Sequence, residues 1–218
     1  YTWARFFDNA SDPGTTLGNT GAPYSNYYDR AADWGPSSND VRHRVTGGAV
    51  YELPFGAGKR WVNSSAMRHV VGGWTVSTTG TLQSGPPFSV TTQTNTTNAF
   101  SAGALRANVL RNPNLPSGER SVARWFDTSA FAQPASYTFG NQGIGLLRGY
   151  GTINLDAGVM RDFRFAERIT FQLRGESFNL FNHTNFSLPG FTYQGAGFGV
   201  ISSSGPSRQI QVGARVTF

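Results

Sequence analysis

The amino-acid sequence predicts an all-β protein of antiparallel strands, and three observations lead to this fold class. The last eleven residues, Arg208–Phe218, alternate between apolar and polar side chains, which is the pattern of a strand with two unlike faces. Only 14% of the residues are charged and 27 are glycine, a composition that favours strands joined by polar loops. The connections between the predicted strands are alternately long and short, which favours an up-and-down arrangement of strands across a membrane.

Six strands are predicted from runs of alternating residues. The final run has about the length that crosses a bilayer at a tilt, roughly 9–11 residues. It also ends on an aromatic residue, as strands do at the aromatic girdle of a membrane barrel. The predicted strands span, in chain order, about Tyr1–Phe7, Asp40–Leu53, Trp74–Gln83, Thr152–Phe163, Arg168–Phe181 and Arg208–Phe218.

The first two predicted strands flank a polar stretch, Asp8–Asn39, whose Gly, Asn, Ser and Pro residues are typical of a loop. The first strand has mixed faces. The second alternates clearly, with Val45 and Tyr51 on one face and Arg44 and Glu52 on the other. The third alternates from its first residue onward and is ended by consecutive prolines, which cannot donate to a sheet.

The remaining strands repeat this two-faced pattern. In the fourth, Ile153 and Val159 oppose Asp156. The fifth is the most amphipathic, since Phe171 and its apolar neighbours alternate with charged and amide side chains. The sixth alternates without a break to the end of the chain.

The lengths of the connections are the main reason to place these strands in an outer-membrane β-barrel. The connections Thr91–Gly149 and His183–Ser207 are long, whereas Arg164–Glu167 is tight. Barrels of this class have long loops outside the cell and short turns in the periplasm. The link of about twenty residues after Leu53 fits this scheme least well, because it is long for a periplasmic turn.

A barrel of this class needs about eight strands, so six strands are too few to close one. We therefore expect residues 1–218 to form the C-terminal part of one larger barrel domain. The polar strand faces carry both signs of charge, and we expect these residues to pair across strands in a watery lumen. A soluble β-sandwich with a solvated outer face would show the same alternation. The predicted charge network comprises Arg42, Arg44, Glu52, Asp156, Arg174, Glu176 and Arg215.

Composition and motifs argue against several other functions. The net charge of +6 comes from scattered arginines without a zinc, helix-turn-helix or RNP-like pattern, so no nucleic-acid partner is expected. Cysteine is absent, and the sequence has no run of about 18 apolar residues for a membrane helix. It also lacks the motifs of serine hydrolases, P-loop enzymes, zinc proteases and dinucleotide-binding enzymes. We therefore expect no enzyme, metal or cofactor. The alternative function is a soluble β-sandwich module that binds carbohydrate or protein, and a secreted hydrolase is the third and less favoured one.

Several segments resemble the closing strands of TonB-dependent outer-membrane receptors, most closely the Oar-type receptors with a carboxypeptidase-regulatory-like domain. These segments read FGNQGIGLLRGYG, NLDAGVMRDF and ESFNLFNHTNF, and DVRHRVTGGAVYELPFGAGKRW followed by GGW is similar to an earlier hairpin. The ending QVGARVTF is similar to the signal that the barrel-assembly machinery reads in outer-membrane proteins. Its matching positions are Gln211, Gly213, Val216 and Phe218.

The resemblance implies uptake or binding of a bulky nutrient at the outer membrane of a Gram-negative bacterium. It implies as partners the remainder of the barrel, a plug domain, the barrel-assembly machinery, outer-membrane lipid and TonB. Neither a plug nor a TonB box is visible in these 218 residues, so this portion alone should not complete an energised transport cycle. Outer loops would contact the nutrient, and packing within a folded loop is the alternative role for the aromatic candidates there. These candidates are Trp125, Phe131, Tyr137 and Phe139.

Overall fold

The structure is a computed structural model that describes residues 1–9, 25–26, 28–62, 67–98, 105–166 and 169–218. No helix within these ranges is long and apolar enough to span a membrane. The helical elements are a short α-helix, α1 (Arg68–Val71), and 3-10 turns at Arg30–Asp33, Ser117–Glu119 and Thr128–Ala130. The strands are β1 (Thr2–Trp3), β2 (Phe7–Asp8), β3 (Gly35–Pro36), β4 (His43–Glu52), β5 (Trp74–Gln83), β6 (Pro87–Phe88), β7 (Asn108–Val109), β8 (Phe131–Ala132), β9 (Leu147–Arg148), β10 (Thr152–Ala166), β11 (Ile169–Phe178) and β12 (Gln209–Thr217).

Six of these strands form one sheet in the order β1-β4-β5-β10-β11-β12, so each long strand lies beside its neighbour in the chain. β11 pairs antiparallel with both β10 and β12. The N–H of Leu53 donates to Trp74 O at 2.8 Å and that of Ser84 donates to His43 O at 2.9 Å, so β4 and β5 are antiparallel as well. The predicted all-β fold of antiparallel, up-and-down strands is confirmed.

Two strand ends differ from the prediction for local reasons. The second predicted strand begins at His43 rather than Asp40, because the N–H of Asp40 donates to Ser37 O and holds that residue in a turn. The fifth ends at Phe178, because Asn179 has a φ of 51° and leaves the extended conformation. Single-residue turn chemistry of this kind sets strand bounds that periodicity alone does not define.

The other bounds are set by pairing. The first predicted strand shrinks to β1, and Phe7 instead joins the small β2–β3 sheet. The fourth runs on to Ala166, which already pairs with Ile169 of β11. The predicted tight turn Arg164–Glu167 lies partly outside the described residues.

The register places side chains of like polarity on the same face of the sheet. Leu173 of β11 lies opposite Ala214 of β12, whereas Glu176 lies opposite Gln211. Residues that face each other across an antiparallel pair share a face, so the sheet has one apolar and one polar face. The alternation predicted for the closing strands is therefore confirmed.

The apolar face is uncovered by the described residues. Val212, for example, is 76% exposed. Leaving a large apolar side chain in water rather than burying it costs about 1.5–3 kcal/mol, so this face requires another apolar phase. A soluble β-sandwich would bury these residues against a second sheet, whereas the described residues leave them exposed. The large exposed residues of this face include Val45, Tyr51, Leu82, Ile153, Val159, Ile210, Val212 and Val216.

The chain divides into two compact units, which we call the sheet unit and the loop unit. The sheet unit comprises Val45–Leu82, Ile153–Thr184 and Pro206–Phe218. The loop unit comprises Tyr1–Arg44, Gln83–Thr152 and Asn185–Gly205, which contain most of the three long connections. Because consecutive strands alternate in direction, these three connections leave the sheet at the same end.

The loop unit has a hydrophobic core of its own, so the connection Thr91–Gly149 is folded rather than structureless. Phe126 is at the centre, and its ring meets those of Phe131 at 5.7 Å and Phe198 at 5.3 Å in edge-to-face geometry. The N–H of Thr91 donates to Phe191 O at 2.9 Å, which ties two connections together. The buried core residues are Phe88, Val90, Ala107, Phe126, Ala130, Phe131 and Leu147.

Candidate functional site

The predicted charge network lies mainly on the polar face of the sheet, where each carboxylate finds a different partner. Asp156 accepts hydrogen bonds from Asn154 Nδ2 and from the N–H of Asn179, both at 2.9 Å. Glu176 accepts one from Gln211 Nε2. This face therefore combines carboxylate, amide and guanidinium groups along adjacent strands.

The expected ion pairs across strands are not formed. Among the described residues, no ion pair joins two of the seven predicted members. The register explains this, because Arg174 lies opposite Gly213 and Arg215 lies opposite Gln172. The charged diagonal neighbour of Arg174 on β12 is Arg215, which carries the same charge, so no unlike charges face each other between these two strands.

Two members of the network have partners outside the strands. Arg42 precedes β4, and its Nε lies 3.9 Å from Asp40 Oδ2 in the loop unit. Glu52 closes β4 and forms a 2.7 Å ion pair with Lys59 of the following connection. Arg42 was predicted to lie on the strand, and its position in the loop unit corrects that prediction. The turn at Asp40 keeps Arg42 out of the strand, and the alternation of residues does not predict this turn.

The four positions of the predicted assembly signal divide between the two faces of β12. Gln211 and Gly213 lie on the polar face, opposite Glu176 and Arg174. Val216 lies on the apolar face, and Phe218 follows the strand as an exposed residue. The arrangement suits a terminal strand with an apolar outer surface, and its reading by the assembly machinery stays a prediction.

The four loop aromatics fall into two groups. Phe131 is 3% exposed and belongs to the loop core, so it packs and offers no surface to a ligand. Trp125 is partly buried, its Nε1 donates to Arg148 O at 2.8 Å, and its ring packs on Tyr150. By contrast, Tyr137 is 76% exposed and Phe139 is 38% exposed. Only the second group presents an open aromatic surface.

A cavity of about 430 Å³ lies in the loop unit beside Phe139. Trp34, which is also exposed, lines it together with polar side chains that carry amide and carboxylate groups. This volume lies within the range of about 300–1,000 Å³ that is typical of ligand pockets. The polar side chains in its lining include Asn26, Asp29, Asn141 and Gln142.

A buried ion pair supports the wall of this cavity that Arg106 lines. Arg106 Nη1 donates to Asp33 Oδ1 at 2.6 Å, and the two side chains are 4% and 1% exposed. The Oγ of Ser25 donates to the same carboxylate at 2.6 Å, and Arg106 Nε donates to Gln142 O at 2.8 Å. A buried pair with this many hydrogen bonds has its charges satisfied and holds the wall in place.

A second charged contact joins two connections within the loop unit. The Arg148 guanidinium donates to the buried carboxylate of Asp40 and, at 2.9 Å, to Asp40 O. Burial raises the pKa of Asp40, but the N–H of Phe6 and the Arg148 guanidinium outweigh it and hold that pKa below its ordinary value. Asp40 is therefore a charged anchor between connections that are far apart in the chain.

The sequence did not reveal Trp34, the Asp33–Arg106 pair or the Asp40–Arg148 pair. The partners are separated by 73 and 108 positions, so no local pattern links them. In a sequence, a charged residue among Gly, Ser and Pro residues indicates a solvent-exposed loop. The folded loop unit is needed to show that Asp33, Asp40 and Arg106 are buried.

Comparison with known proteins adds one finding. A family model described as an outer membrane beta barrel domain matches residues 1–211. No curated protein and no solved structure matches the chain.

Proposed function

The chain belongs to the outer membrane β-barrel domain family, and from this premise we propose that it is part of a receptor barrel for TonB-dependent uptake or binding of a bulky nutrient. The family places the protein in the outer membrane of a Gram-negative bacterium. Its exposed apolar sheet face fits contact with lipid. The proposal concerns binding and transport rather than catalysis.

The observation that carries the receptor proposal is the folded loop unit. The second and third long connections share a core, and two charged contacts join the first connection to the second. A nutrient receptor needs such a scaffold, because preorganised loops lower the entropy cost of binding. The open cavity with Trp34 and Phe139 gives this scaffold a candidate site for the nutrient.

The TonB-dependent and Oar-type assignment rests on the resemblance of the sequence segments, above all FNLFN at Phe178–Asn182. We propose that further strands close the barrel and that a plug domain and a TonB box belong to the same receptor. The barrel-assembly machinery would read the final strand. Charged and amide side chains on the polar face would line a watery lumen around the plug.

Uptake by whole cells tests the proposal. The complete receptor that contains this chain would be produced in a Gram-negative strain with and without TonB. The probes would be radiolabelled cobalamin, a ferric siderophore and an oligosaccharide, all too large for diffusion pores. We expect one probe to bind at the surface in both strains and to accumulate only in the strain with TonB. Accumulation that is independent of TonB would contradict the proposal.

Variants locate the binding site on the loop unit. Replacing both Trp34 and Phe139 with Ala should weaken surface binding at least about tenfold, since each stacked aromatic contributes of the order of 1 kcal/mol. Tyr137→Ala is the matched control, because Tyr137 is exposed but does not line the cavity. An equal loss of surface binding in the control and in the double variant would show that the nutrient binds outside the cavity.

A further inference from the structure

The connection between β4 and β5, residues 53–73, is long for a periplasmic turn. It carries Lys59, Arg60 and Arg68 and no acidic residue. The three long connections leave the sheet at the other end, because consecutive strands alternate in direction. A connection of this length and charge is therefore expected to do more than reverse the direction of the chain.

Helix α1 is held at the apolar side of the sheet by its own carbonyl oxygen. Val70 O accepts a hydrogen bond from Trp74 Nε1 at 3.2 Å and another from the Arg161 guanidinium. Arg161 pairs with Leu173 of β11 and so lies on the apolar face. Its guanidinium lies 5.9 Å from the Trp74 ring, which places Trp74 beside it. Both donors therefore fix Val70 next to the surface that faces lipid.

The side chains of this connection extend the apolar surface. Val70 is 69% exposed and Met67 is 61% exposed, and residues three apart lie on the same side of a helical turn. Trp61 is exposed as well, with the Arg60 guanidinium 5.7 Å from its ring. Aromatic residues beside cations are typical of the interface between a membrane and water.

The charge of Arg161 on the apolar face explains why helix α1 lies beside it. An arginine on the lipid face of a barrel is far more costly near the bilayer centre than near the interface with water. The Arg161 side chain is buried, and its guanidinium lies 4.3 Å from the Phe163 ring. The Val70 carbonyl and the two rings therefore cover the charge where the strand reaches the interface.

We propose that the described parts of this connection, residues 53–62 and 67–73, are a membrane-interface anchor that lies on the phospholipid headgroups at this end of the sheet. Met67, Val70 and Trp61 enter the boundary between headgroups and acyl chains, and the Arg60 guanidinium beside Trp61 meets the phosphates. The occupant is a phospholipid leaflet, because the anchor is positively charged and continues the apolar face. The inference rests on the outer-membrane placement of the sheet and adds a contact that this placement does not require.

Spin labels on single introduced cysteines test the anchor, because the chain contains no cysteine. The complete receptor, as the Val70→Cys variant, would be folded into vesicles of phosphatidylethanolamine and phosphatidylglycerol. Collisions of the label with oxygen, which enriches in lipid, are compared with collisions with a nickel chelate, which stays in water. Val212→Cys on the apolar face and Ser117→Cys in the loop unit are the lipid and water controls.

We expect the Val70→Cys label to favour oxygen, as the Val212→Cys label does, and the Ser117→Cys label to favour nickel. A Val70→Cys label that favours nickel while the Val212→Cys label favours oxygen overturns the anchor and leaves the membrane placement intact. If the Val212→Cys label also favours nickel, the sheet is not in lipid and both ideas fail. Met67→Cys repeats the test should the Val70 variant not give a β-rich circular dichroism spectrum.

Discussion

The side chain of Arg174 lies across Gly213 on the polar face of the sheet. The two residues are register partners on β11 and β12, and a Cβ at residue 213 would come within 3.0 Å of Arg174 Nε. Glycine at this position leaves room for the guanidinium-bearing chain to lie flat on the neighbouring strand. The glycine of the predicted assembly signal therefore has a packing role of its own.

Gly213→Val should lower the free energy of unfolding by no more than about 1 kcal/mol, because the branched side chain crowds Arg174, whose exposed side chain can move aside. Urea titration of the detergent-folded chain measures this. Arg174→Ala in the same chain should recover most of the loss, which a double-mutant cycle would show as coupling. Ala214→Val, on the exposed apolar face, is the control and should be nearly neutral. If Arg174→Ala recovers nothing, the close contact is not the reason for glycine.

Breaking the buried Asp33–Arg106 pair should destabilise the loop unit strongly. Asp33→Asn leaves the buried Arg106 guanidinium without its counter-charge, at a cost of about 3–5 kcal/mol. Hydrogen exchange at loop-unit amides such as Ala107 measures the effect. Arg111→Gln, at a partly exposed pair with Asp127, should cost less than about 1 kcal/mol. Similar protection losses in both variants would show that the Asp33 pair is not a structural anchor.

The loop unit should lose stability in acid through Asp40. A carboxylate whose pKa is depressed on folding contributes stability above its unfolded pKa of about 4, and this contribution is lost as the pH falls through the folded value. Hydrogen-exchange protection of loop-unit amides should therefore fall as the pH drops below about 4. Asp40→Asn should lower protection at neutral pH and reduce its dependence on acid. An unchanged acid dependence in that variant would assign the effect to other groups.

A charge on the apolar face should be costly only if lipid lies against it. Val212→Arg should lower the free energy of unfolding in phospholipid vesicles by about 2–4 kcal/mol if residue 212 lies near the bilayer centre. Gln211→Arg, on the polar face of the same strand, should change it far less. Equal effects of the two substitutions would show that the faces meet the same solvent.

The features of the fold that could be predicted from the sequence are those that depend on a local pattern of residues. Alternation along β11 and β12 placed Leu173 and Glu176 on opposite faces, and the register agrees. The lengths of the connections correctly indicated antiparallel neighbours. These properties follow from a period of two and from chain reversal, which are both visible over a few residues.

Properties that depend on register and on long-range packing could not be predicted in this way. The expected ion pairs failed because Arg174 faces Gly213, and no pattern in either strand defines that offset. Phe131 and Phe139 look alike in sequence, yet one is in the loop core and the other lines the cavity. Burial in a folded loop depends on contacts between connections that are far apart in the chain.

The apolar face of the sheet is expected to lie against lipid, and size-exclusion chromatography with and without detergent tests this most directly. Far-UV circular dichroism would be recorded on the same fractions. We predict a β-rich chain that is monodisperse only in detergent, because residues such as Val212 and Ile210 then lie against an apolar phase. A compact, β-rich monomer that unfolds cooperatively in plain buffer would contradict the account, since the apolar face would then have to be buried by protein.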